Sequence, residues 1–98
     1  MYNHTTLFRL KSGVTLDRVR TAKQELSLLV ETLPGVVHFM VTDNLAEKSQ
    51  GYTLALFSTF ENLQAYQICQ RHPEYQRVWK ELLEPVVEDR IVAEGTDS

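Results

Sequence analysis

Two segments of the chain, Val36–Thr42 (VVHFMVT) and Tyr52–Phe60 (YTLALFSTF), carry β-branched and aromatic residues on both parities, the composition of strands. Successive side chains of a strand point to opposite faces, so a sheet covered on one side alternates apolar with polar residues. That alternation is missing here. Val37, Phe39 and Val41 share one parity, whereas Val36 and Met40 share the other with His38 and Thr42. In the second segment Tyr52, Leu54, Leu56 and Phe60 oppose Ala55 and Phe57. Each large apolar side chain left in water forgoes roughly 1.5 to 3 kcal/mol of burial, and a contiguous patch of them is unusual on a monomer. Both faces of the sheet are therefore expected to be covered, one by helices of the same chain and the other by a second copy.

The rest of the chain supplies those helices. Residues 4–11, HTTLFRLK, predict a strand ending in the Ser12-Gly13 turn. Behind Thr15, a plausible N-cap, Leu16, Val19, Ala22, Leu26, Leu29, Val30 and Leu33 recur at three- and four-residue steps, the period of an amphipathic helix. Pro34-Gly35 ends it. A polar loop of about eight residues joins the two central strands. Glu61 opens a helix to Arg71, and Pro73, tolerated at a first helical position, opens another to Glu84. After Pro85, residues 86–94 predict a last strand, followed by a polar tail over 95–98. The order is β-α-β-β-α-α-β, an α+β, ferredoxin-like plan with a four-stranded antiparallel sheet. Two such sheets packed on their open faces make a dimeric α/β barrel.

Composition narrows the functions. With 98 residues the chain forms one domain, assigned to 1–94. Ten Lys and Arg against thirteen Asp and Glu give a net charge of -3, with the basic residues scattered, which argues against a nucleic-acid partner. No run approaches a membrane span, and the residues after Met1 lack a signal-peptide pattern. A lone Cys69 suits a reducing compartment, so a cytoplasmic protein is expected. His4, His38 and His72 lack the spacing of a metal-ligand set, and neither metal nor cofactor is expected.

Several marks, in order, resemble the stress-responsive dimeric A/B barrel (Dabb) family: His4 on the first strand, Leu33-Pro34-Gly35-Val36, Gly51-Tyr52-Thr53, Phe60, and His72-Pro73 beginning twelve residues after Phe60. The resemblance covers nearly the whole chain and implies a homodimer. Family members range from stress proteins without assigned activity to a cofactor-free polyketide cyclase. In that cyclase a first-strand His, a Tyr nine residues after the closing Phe, and the second His of a His-Pro-x-His motif form the site, the last as base. In this sequence the positions hold His4, Cys69 and Tyr75. The base position is a Tyr, whose ordinary pKa near 10 does not suit proton abstraction at neutral pH.

The expected small-molecule pocket lies between the sheet and the helices of residues 61–84, bordered by His4, Phe8, Tyr66, Cys69, His72, Tyr75 and Trp79. His4 shares the parity of Phe8 and Leu10, so it points into an apolar interior that keeps imidazole neutral, as a general base requires. His72 is explained by the helix break at Pro73 before any chemistry is invoked. The run Glu81, Glu84, Glu88 and Asp89 is read as a solvated edge, with Asp89-Arg90 alternatively a pair across a dimer seam. Two functions follow. One is a homodimer binding a small apolar or aromatic molecule; the alternative is a cofactor-free enzyme of cyclase, isomerase or small monooxygenase type, with His4 or His72 as base and Tyr66 or Tyr75 as donor.

Overall fold

A computed structural model describes residues 1–97. Four strands, β1 (Tyr2–Leu10), β2 (Val36–Asp43), β3 (Leu54–Phe60) and β4 (Val87–Thr96), form one antiparallel sheet in the order β2-β3-β1-β4. Helices α1 (Leu16–Val30), α2 (Leu63–Arg71) and α3 (Pro73–Val78) pack on one face, and α3 continues into a π-helical turn, Trp79–Leu83. This is the expected ferredoxin-like plan. Among the described residues no helix is long and apolar enough to cross a membrane.

Local chemistry sets the element ends. The Thr15 side chain accepts a hydrogen bond from the Arg18 N–H, relieving one of the unpaired donors of the first turn. Helix α1 stops at Val30, earlier than Leu33. Thr32 Oγ1 donates to the Leu29 carbonyl, and Pro34 disfavours helical backbone at the residue before it. Gly35 then takes a φ of +82°, and a Cβ there would lie 2.6 Å from the Ala65 Cβ. Only glycine meets both demands.

Strand boundaries also differ from the sequence reading. Strand β1 starts at Tyr2, and β3 starts at Leu54 because Tyr52 is held in a turn by the Ser49 carbonyl. Strand β4 runs through Gly95 and Thr96, which pair with Asn3 and Tyr2, so two residues assigned to the tail belong to the sheet. Ser98 lies outside the described residues.

The parity of β2 needs a correction of its own. Its register against β3 shifts between Val36 and His38, so Val37 is the extra residue of a bulge. Val36, not Val37, therefore joins Phe39 and Val41 against the core. The helix-side core is built on Phe8, Leu26, Phe60, Val78 and Leu83, all essentially without solvent contact. The opposite face carries two rows across the sheet, Met40-Phe57-Thr5-Ala93 and Thr42-Ala55-Leu7-Ile91. Met40, Phe57 and Ile91 are 43%, 39% and 50% exposed there.

Candidate functional site

The helix-facing residues of β1 are Tyr2, His4, Thr6 and Phe8, and each is paired on β4, with Thr96, Glu94, Val92 and Arg90 respectively. Helices cover the β1 side of this ladder, but the β4 residues beyond Val87 remain exposed. A cavity of about 540 Å³ opens between them, within the range of small-molecule sites. Its floor is His4, Thr6, Leu56 and the β4 residues Arg90, Val92 and Glu94; its wall is Tyr66 and Gln70 of α2, Tyr75 and Gln76 of α3, Trp79 and Lys80 of the π-helical turn, and Glu84. The wider π turn, closed by the Glu84 N–H on the Trp79 carbonyl at 2.9 Å, is a feature that recurs at functional sites.

His4 lies at one end. Its side chain is only 12% exposed, with Nε2 3.7 Å from Glu94 Oε1, too far for a hydrogen bond. The imidazole stacks on the Tyr66 ring at 4.8 Å and 29°, and Tyr66 is in turn held by Tyr2 at 4.8 Å and by the edge of Phe60 at 5.4 Å. Burial lowers the pKa of His4; Glu94 opposes the shift and Arg90 adds to it. The phenols of Tyr66 and Tyr75 are pushed up, chiefly by burial. Neutral imidazole beside protonated phenols is an acid-base arrangement: one group accepts a proton at neutral pH and two can donate one.

Of the residues expected at the pocket, His4, Tyr66, Tyr75 and Trp79 come together. Phe8 sits behind the wall, fully buried, with its ring 5.7 Å from that of Trp79. Cys69 is in the core, and burial pushes its thiol up to about 11, so it is not a thiolate. His72 lies off the cavity lining. Its Nδ1 accepts the Glu74 N–H at 3.2 Å, capping α3. The His-Pro pair thus breaks the helix and starts the next one.

Arg90, Val92 and Glu94 were missed by the sequence reading. The signal was their spacing of two on a strand, which puts all three on one face. Asp89 points to the other face, where it accepts the Tyr52 hydroxyl and lies 3.5 Å from Arg9. Asp89 is thus paired within the chain, while Arg90 faces the cavity.

Comparison with known proteins agrees with this architecture. A family model described as the stress responsive A/B barrel domain (Dabb) matches residues 2–97. No curated protein matches by sequence. Among solved structures, a dimeric ferredoxin-like protein of unknown function from Thermobifida fusca superposes with a TM-score of 0.84 at 22% identity, over 97% of this chain and 89% of that one. A Dabb family protein from Mesorhizobium loti gives 0.84 at 20% identity, over 99% and 96%. A hydroxynitrile lyase from Passiflora edulis gives 0.86 at 19% identity, over 99% and 93%.

Proposed function

Since the chain belongs to the stress-responsive A/B barrel domain family, we propose that it acts as a homodimer, sheet against sheet, that binds a small apolar or aromatic molecule in the His4 cavity. The dimer is supported by the apolar rows on the open face and by solved relatives described as dimeric. A cytoplasmic site of action suits the lone buried Cys69 thiol.

The observation that carries the ligand reading is the cavity itself, about 540 Å³ with the rings of Tyr66 and Trp79 on its wall and Leu56 and Val92 on its floor. Aromatic surfaces of this kind favour a flat or apolar guest. An NMR titration with acetophenone tests it. Shifts clustered at His4, Tyr66, Tyr75 and Trp79 support the site; shifts confined to surface loops, or none at millimolar ligand, dismiss it.

One observation favours a second reading, a cofactor-free enzyme. Burial favours neutral His4, which stacks on Tyr66 and shares its cavity with Tyr75, and this suits a base that removes a proton next to a carbonyl while Tyr66 or Tyr75 donates to the oxygen. The Passiflora relative is described as a hydroxynitrile lyase, so this fold houses an enzyme elsewhere. Exchange of the methyl protons of acetophenone for deuterium, catalysed by the chain and lost in His4→Gln, is the expected result; exchange at the buffer rate excludes the reading.

A further inference from the structure

The ionisable groups on the cavity floor are sorted to its ends. At one end His4 pairs across the sheet with Glu94; two rungs along, Phe8 pairs with Arg90, and the rung between is Thr6 with Val92. At about 3.4 Å per residue, the backbones of Arg90 and Glu94 stand roughly 14 Å apart. The cavity floor thus has an acid-base end, an uncharged middle and a guanidinium end.

Arg90 differs from Arg9 and Arg77, which line up with carboxylates. Arg9 lies within 3.5 Å of both Glu88 and Asp89, and Arg77 reaches both Glu74 and Glu81 at 3.1 Å. Arg90 makes none of the ion pairs found among the described residues; its guanidinium is instead held over the Trp79 ring, 5.1 Å from the centroid. Stacking on an aromatic face fixes the planar fork while leaving its edge N–H groups free to donate. Lys80 lines the cavity as a second cation and Glu84 and Glu94 line it as carboxylates, and of the two cations Arg90 is the one held on an aromatic ring. One fixed guanidinium fits a monoanion.

We infer that the ligand is an aromatic or apolar monocarboxylate, its carboxylate gripped by Arg90 beside Trp79, its body over Val92 and Leu56, and its far end against His4 and Tyr66. This rests on the proposal that the cavity binds a small molecule and adds the chemistry of the head group. A planar guanidinium fork matches a carboxylate with two parallel hydrogen bonds.

The test uses 5-oxo-5-phenylpentanoate, an aryl ketone joined to a carboxylate by three carbons, and its neutral twin 5-oxo-5-phenylpentanamide. Calorimetry should show the acid binding at least about tenfold more tightly than the amide, as a charged hydrogen-bond pair provides, with Arg90→Met bringing the acid down to the affinity of the amide. NMR shifts of His4 on adding the amide to Arg90→Met report that the variant cavity is intact. Equal affinities of acid and amide, both moving His4, would overturn the carboxylate inference and leave the binding proposal standing. Preference for the acid surviving in Arg90→Met would also overturn it. Absence of any shift at His4 with either compound at millimolar concentration overturns both.

Discussion

Phe57→Glu should dissociate the proposed dimer while leaving the protomer folded. Phe57 stands on the open face, beside Met40 on β2 and Thr5 on β1, and is 39% exposed in the single chain. An aromatic side chain presents about 200 Å², so roughly 80 Å² of it remains for a partner to cover. At about 25 cal/mol per Å² that contributes ~2 kcal/mol. Twofold symmetry counts the residue twice, giving ~4 kcal/mol, or on the order of a thousandfold in dissociation constant. A glutamate adds the cost of drying two carboxylates in an apolar seam. Sedimentation velocity at micromolar protein should therefore show a monomer, with a far-ultraviolet spectrum like that of the parent. Phe39→Glu is the contrasting change. Phe39 packs against the helix-side core, so this variant should lose folded structure itself. A Phe57→Glu chain that sediments as a stable dimer would refute the assignment of faces and the barrel with it.

Three other outcomes are expected. The pKa of His4 lies below its ordinary value, so the stability this residue contributes is fully present above about pH 6.5 and declines as pH falls through the lower folded value; the urea midpoint should drop between pH 7.5 and 5, with His4→Gln flattening that drop, and parallel curves would dismiss the buried neutral imidazole. His72→Ala removes the cap on α3 and should cost up to about 1 kcal/mol in urea unfolding, restored by His72→Asn, with ligand affinity unchanged; a lost affinity would give His72 a chemical role. Gly35→Ala meets both a φ of +82° and the Ala65 Cβ at 2.6 Å. Left-handed backbone costs about 1 to 2 kcal/mol and overpacking about 1 to 3, and adding Ala65→Gly should recover only the overpacking part in chemical denaturation.

The order of elements was legible because helix period and strand composition are local properties. The face of β2 was not, since the bulge at Val37 depends on which residues of β3 oppose it, and one extra residue exchanges the parity of everything before it. Within the site, His4 and Tyr66 could be read from strand parity and helix spacing. Phe8 and Cys69 share the right faces but lie too deep, a matter of layer thickness rather than of pattern. Arg90 and Glu94 were missed because nothing in their own strand says which face of the sheet the helices cover. Only the pairing of β4 with β1 puts them opposite Phe8 and His4.

A crystal structure of the chain grown with an aryl ketone such as acetophenone addresses the central claim in one measurement. The ketone is expected between the rings of Trp79 and Tyr66 with its carbonyl toward His4, and a twofold partner is expected to cover Met40, Phe57 and Ile91. A ketone bound elsewhere with the His4 cavity empty, or open faces left bare in the assembly, would contradict it.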